Sequence, residues 1–201
     1  PTYEEILSSM FNMTMFPNFL LEHLEKLKPL LQHRVEKRVA LHEYSGELGV
    51  VEAVKTLLDA IPGLEVVDLG RRSAGYTGTA LAPMKDYLKK SIKGTLLAAE
   101  KLNVDILVGI YHNDHREFSG HEAAWNFKVA NYMELLGESM GLNQPDIFKQ
   151  FKLMGDVDAI IEASSELISR HDLDVETLRE VIIQDMLDDQ QLPVEKSQHP
   201  Q

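Results

Sequence analysis

The chain contains no cysteine among its 201 residues. Disulfide bonds, thiolate metal ligands and thiol nucleophiles are therefore all excluded. Any metal ion or cofactor must be held by histidine, aspartate, glutamate or tyrosine side chains or by backbone groups.

Basic residues are also scarce, with 20 Lys and Arg against 32 Asp and Glu, for a net charge of -12. Nucleic-acid binding gains affinity by neutralising phosphates with Lys and Arg, so we expect no nucleic-acid partner. No apolar run approaches the roughly 20 residues of a membrane span. The segment Pro1-Thr-Tyr-Glu-Glu5 is acidic, unlike a secretory signal. These features predict a cytoplasmic protein without a membrane span.

What the chain does contain is short apolar runs that alternate with stretches of helical periodicity. We predict strands over 38–43, 64–69, 104–110 and 127–130. Helical connections of a dozen residues or more require neighbouring strands to pair in parallel. The sequence therefore predicts an α/β fold: a parallel, Rossmann-like sheet of about four strands, flanked by helices.

The same pattern divides the chain into four regions. N-terminal helices are predicted over 1–35, the α/β domain over 36–144, a C-terminal helical extension over 145–191 and a disordered tail over 192–201. In the first region, a capping box at Thr2-Tyr-Glu-Glu5 predicts one helix, and a second helix is predicted from Pro17 to about Val35. The apolar stripes of the extension either cover the flank of the sheet or form an oligomer surface.

Three segments that follow predicted strands hold most of the chemically reactive side chains. They are His42-Glu-Tyr-Ser-Gly46, Arg71-Arg-Ser-Ala-Gly-Tyr-Thr-Gly-Thr79 and Tyr111-His-Asn-Asp-His-Arg-Glu117, and we interpret all three as loops. The carboxyl ends of parallel strands meet at one edge of the sheet, where open α/β sheets bind ligands. We therefore expect the three segments to build one site.

Imidazole and carboxylate groups in these segments suit a zinc or iron ion. The candidate ligands are His42, His112, Asp114, His115 and His121. Their spacing matches no established metal motif, so a hydrogen-bonded polar loop is the alternative. Two pairs, His42 with Glu43 and His112 with Asp114, are candidates for acid–base chemistry. Arg71 and Arg72 either hold a carboxylate or phosphate group or are surface arginines.

The order of these segments resembles the cysteine-rich (CCG) domain of the heterodisulfide reductase family, which also occurs in glycolate oxidase iron–sulfur subunits and related succinate dehydrogenase-type subunits. The resemblance covers roughly residues 36–141. It rests on Val39-Ala-Leu-His-Glu-Tyr-Ser45, on Leu57-Leu-Asp-Ala-Ile-Pro-Gly-Leu-Glu-Val-Val67 and on Tyr111-His-Asn-Asp-His115.

The resemblance implies a site whose cysteines have been replaced. Five residues stand where the family has cysteines: Ser45, Tyr76, Thr77, Tyr111 and Asp114. Three residues match the family pattern: His42, Gly78 and His115. Iron–sulfur clusters are held by thiolates, and hydroxyls and a carboxylate replace them poorly, so we expect no conventional cluster. Ser45, Arg71, Arg72, Tyr76, Thr77, Gly78 and Tyr111 remain as candidate ligand-binding residues.

Two functions are consistent with this pattern. The first is a cysteine-free binding or structural subunit, in a redox complex or as a homo-oligomer. The second is a His/Asp metal-binding protein or acid–base enzyme that acts on a small molecule at the vacated cluster site.

Overall fold

The protein is built on a four-stranded sheet with helices on both faces. The computed structural model describes residues 14–43, 49–71, 82–188 and 190–199. The strands are β1 (Arg38–Leu41), β2 (Glu65–Val67), β3 (Ile106–Gly109) and β4 (Lys128–Asn131). They lie in the order β2-β1-β3-β4, and every neighbouring pair is parallel. The predicted α/β fold is thus confirmed.

Each strand alternates its side chains between two apolar cores. Val39 and Leu41 of β1 belong to the core on one face, whereas Ala40 belongs to the core on the other. Ile106 and Val108 of β3 belong to the same core as Val39 and Leu41, and Leu107 belongs to the same core as Ala40. A strand buried on both faces must be apolar at every position, which is why β3 reads as a continuous apolar run.

Ten α-helices are described around this sheet. They are α1 (Phe16–Glu22), α2 (Leu24–Leu27), α3 (Val50–Asp59), α4 (Lys85–Leu102), α5 (His112–Ser119), α6 (Tyr132–Ser139), α7 (Ile147–Met154), α8 (Val157–Ala163), α9 (Ser165–His171) and α10 (Val175–Ile182). The apolar side of α3 packs into the first core and that of α4 into the second, so these two crossover helices cover opposite faces of the sheet. Within the described ranges, no helix combines the length and apolarity that crossing a membrane requires.

The second N-terminal helix is shorter than the sequence predicts. Helical structure ends in a 3-10 turn at Lys28–Leu30 that contains Pro29. The next residues are extended, and their backbone pairs elsewhere: the Val35 amide donates to the Pro62 carbonyl at 2.8 Å, and that of His33 to Ser139 at 2.8 Å. The capping box predicted at Thr2-Tyr-Glu-Glu5 lies outside the described residues.

The C-terminal segment packs against the second core, although the sequence predicts disorder from residue 192. Leu192 is fully buried there beside Trp125 and Phe127. The Glu117 carboxylate accepts hydrogen bonds from the backbone amides of Gln191 and Leu192, at 3.0 and 3.2 Å. Further along the segment Lys196 pairs with Glu100 at 2.5 Å, so both apolar burial and polar contacts hold this mostly polar stretch.

Candidate functional site

The sheet topology places a switch point between β1 and β3 at the carboxyl edge, and we call this position the crevice. From β1 the chain moves outward to β2, and it then returns across β1 to place β3 and β4 on the other side. Helices that leave two adjacent strands on opposite faces open a gap between them, and open α/β sheets bind ligands at this position. The residues that follow β1 and β3 therefore line the expected binding site.

His42 is the first residue after β1 and lies at this edge of the sheet. Its backbone amide donates to the Val108 carbonyl at 2.8 Å, which continues the pairing of β1 with β3 by one residue. The imidazole is buried, with 6% of the residue exposed, and its edge packs on Phe118 at 5.0 Å between ring centroids. Burial, with the positive charge of Arg71 as the second cause, lowers the pKa of His42 to about 4.

Asp114 faces His42 from the first turn of α5. The distance between His42 Nε2 and Asp114 Oδ1 is 3.9 Å, too long for a direct hydrogen bond. Burial raises the pKa of Asp114 to about 7, although a hydrogen bond from the Tyr111 backbone acts in the opposite direction. His42 Nδ1 and Asp114 Oδ2 are both buried without a hydrogen-bond partner in the described part of the chain.

Arg71 reaches the same edge from the end of β2. The Gly70 amide donates to Asp68 Oδ1 at 2.8 Å, and Gly70 has a φ of +68°, so the chain turns tightly after the strand. The Arg71 guanidinium then lies across α4 at Gly94, where an added Cβ would come within 2.6 Å of it. A glycine in the middle of α4 thus leaves room for a cation beside His42.

The third polar segment, interpreted from the sequence as a loop, is mostly the helix α5. Successive residues of a helix point in different directions, so its polar residues do not converge. His112 is exposed and packs against Phe148, with 5.7 Å between ring centroids. Tyr111 is the N-cap residue of α5 and packs against the first core.

His121 lies beyond the end of α5 and belongs to the C-terminal contact rather than to the crevice. It is fully buried, and its Nε2 accepts a hydrogen bond from the Gln190 side chain at 2.9 Å. The structure therefore does not bring His121 or His112 to the pair formed by His42 and Asp114.

The two acid–base pairs predicted from sequence proximity are replaced by a different one. Glu43 instead forms an ion pair with Lys55. His112 and Asp114 are two positions apart on a helix and do not face each other. The pair that forms, His42 with Asp114, joins two of the three predicted loops. Ser45, Arg72, Tyr76, Thr77 and Gly78 lie outside the described residues.

A group able to hold a metal ion lies one strand further along the edge. It consists of His115, Glu134 and Asp146, whose ligand atoms all lie within 4.8 Å of one another. Sequence reasoning identified His115 but missed the two acids. Each of them has the sequence signature of a helix cap, with Glu134 at the third position of α6 and Asp146 before α7.

Comparisons with protein-family models, with curated proteins and with solved structures returned no match.

Proposed function

We propose that this chain is a cysteine-free relative of the cysteine-rich domain of heterodisulfide reductases, and that its role is to bind a small anionic molecule, as a non-catalytic subunit. The binding site is the crevice at the carboxyl edge between β1 and β3, and no iron–sulfur cluster takes part. The observation that carries the proposal is the pair His42 and Asp114, which lies at this edge of the sheet and has two buried atoms without a hydrogen-bond partner among the described residues.

Unpartnered buried polar atoms support a ligand because they are costly. A buried donor or acceptor without a partner loses about 1–3 kcal/mol of hydration free energy. Within the described residues, His42 Nδ1 and Asp114 Oδ2 are both such atoms. They lie at the edge of the sheet where open α/β sheets bind ligands. A polar small molecule that bonded to them would remove that cost.

Arg71 brings a positive charge to the site. Burial is the main cause of the low pKa of His42, and the charge of the exposed Arg71 guanidinium is the second cause. Guanidinium groups bind carboxylates and phosphates through charge-assisted hydrogen bonds. A carboxylate or phosphate placed between Arg71 and His42 would form an ion pair with the guanidinium and a hydrogen bond with the imidazole ring.

Nuclear magnetic resonance of the histidine rings tests this proposal in the full chain, in the presence of a chelator. Acetate, oxalate and inorganic phosphate serve as anionic probes, and acetamide as the uncharged probe. We expect saturable shifts of the His42 ring signals with at least one anion and none with acetamide. The signals are assigned by their loss in His42→Asn.

Two arginine variants make the comparison specific. Arg71→Gln should weaken anion binding about tenfold or more, because a charge-assisted hydrogen bond contributes roughly 1.5–3 kcal/mol. Arg34→Gln is the matched control, since Arg34 is an exposed arginine that pairs with Glu36 at 2.7 Å, four residues before β1. Absence of any saturable shift, or equal binding by Arg71→Gln, would overturn the proposal.

A further inference from the structure

The cluster of His115, Glu134 and Asp146 (the three-residue cluster) collects side chains from three consecutive helices. His115 lies in α5, which follows β3, whereas Glu134 lies in the first turn of α6, which follows β4. Asp146 is the N-cap residue of α7. The parallel sheet therefore brings together residues that are up to 31 positions apart, with His115 Nε2 2.5 Å from Asp146 Oδ2.

Each of the two acids is held in place through one of its own carboxylate oxygens. Glu134 Oε1 accepts a hydrogen bond from the Asn131 amide at 2.7 Å, and Asp146 Oδ1 accepts one from the Lys149 amide at 2.9 Å. In Asp146 the second oxygen faces the His115 ring. Carboxylates fixed by such outer hydrogen bonds lose little freedom when they bind a cation.

The histidine of the cluster is deeply buried and not fully satisfied. His115 is only 6% exposed, and its Nδ1 is buried without a hydrogen-bond partner in the described ranges. The nearby ammonium group of Lys149 is directed elsewhere, since it donates to the Val129 carbonyl at 2.8 Å and pairs with Glu122 at 3.2 Å. Among the described residues, two carboxylates and one imidazole thus lie close together, while the Lys149 ammonium bonds to other groups.

We propose that His115, Glu134 and Asp146 bind a first-row divalent cation of the zinc type. Two carboxylates balance the charge of such an ion, and an imidazole nitrogen favours zinc over calcium or magnesium, which prefer oxygen ligands. Three protein ligands leave at least one coordination position open, as in zinc sites that also bind water or a substrate. The site uses none of His42, Asp114 and Arg71, so its residues differ from those of the proposed anion site.

Zinc binding to the full chain tests the proposal after removal of metal by a chelator. Titration calorimetry with zinc chloride should give one site per chain, and calcium chloride should give none. Glu134→Gln and Asp146→Asn remove one ligand charge each but retain residue types that cap helices. Loss of a residue that only hydrogen-bonds to a metal ligand weakens metal binding roughly 10- to 100-fold. Each of these two variants loses a ligand itself, so it should weaken zinc binding by more than that.

Asp156→Asn and Asp174→Asn are matched controls. Both aspartates cap helices as Asp146 does, accepting from the amides of Ala159 at 2.9 Å and Thr177 at 2.8 Å. Both variants should bind zinc like the unmodified chain. The proposal fails if the unmodified chain binds no stoichiometric zinc. It also fails if Glu134→Gln and Asp146→Asn bind zinc as tightly as their controls, which would leave the contact of His115 with Asp146 as a structural ion pair.

Discussion

At the scale of single residues, the candidate site is determined by burial more than by sequence proximity. His42 faces Asp114, which lies 72 positions further along the chain, and not its neighbour Glu43. Burial disfavours the charged form of both groups, so it lowers the pKa of the histidine and raises that of the aspartate. Two groups that would form an ion pair in water are thus held close together in an apolar surrounding.

The low pKa of His42 predicts a specific loss of stability in acid. Between about pH 6.5 and pH 4 the unfolded chain binds a proton on this ring and the folded chain does not. The free energy of unfolding therefore falls as the pH drops through this window, by on the order of 3 kcal/mol from this group, and the group contributes nothing above it. Urea unfolding at several pH values should show a shallower acid decline for His42→Asn. Identical declines would contradict the assignment.

Replacing Gly94 by alanine should change the stability of the protein and its affinity for anions in opposite directions. Alanine in the middle of α4 should raise the free energy of unfolding by roughly 0.5–1 kcal/mol, because glycine is a poor helix former. Its Cβ would displace the exposed Arg71 guanidinium, which lies only 2.6 Å from that position. We expect Gly94→Ala to melt at a higher temperature and to bind acetate or phosphate more weakly. A more stable variant with unchanged anion affinity would show that Arg71 is not part of the site.

At the scale of elements, the sheet could be predicted from the sequence because its strands are short apolar runs separated by amphipathic helices. The four strand predictions each overlap a strand of the structure, and a capping box of Asn131 and Glu134 begins the helix that follows the last strand. Helix α5 was missed because its sequence shows no apolar stripe: Phe118 is its one buried apolar residue. Glu134 and Asp146 were missed since their capping role fully explains their positions in the sequence.

The C-terminal segment offers a prediction at this scale. Leu192→Ala should lower the free energy of unfolding by about 2–5 kcal/mol, the usual cost of removing a buried leucine side chain. Leu173→Ala is the matched control, because Leu173 is 44% exposed and its loss should cost about 0.5 kcal/mol or less. Equal small effects in urea unfolding would favour the disorder that the sequence predicts for this segment.

At the scale of the whole molecule, one edge of a parallel sheet carries every group used in the proposals. The carboxyl ends of β1, β2 and β3 lead to His42, Arg71 and Asp114. Those of β3 and β4 lead to His115 and Glu134, which Asp146 joins from the start of α7. Short strands thus bring together residues that are distant in sequence. This convergence follows from parallel pairing, whereas the direction of each side chain depends on packing that no local pattern reveals.

The resemblance predicts the absence of an iron–sulfur cluster in the whole chain. The proposed resemblance matches Tyr111 and Asp114 to cysteines of the family, and in this structure Tyr111 lies at the start of α5 and Asp114 faces His42. Without thiolates, the full chain produced and purified without oxygen should contain no acid-labile sulfide and no absorption from iron–sulfur charge transfer. Stoichiometric iron and sulfide in the same sample would contradict this.

The most direct measurement for the binding site is a crystal structure of the full chain grown with oxalate. We predict an oxalate in the crevice between β1 and β3, with one carboxylate against the Arg71 guanidinium and the other within hydrogen-bond distance of the His42 ring. A crevice that is closed by the chain's own side chains, with oxalate absent or bound elsewhere, would contradict the proposed anion site.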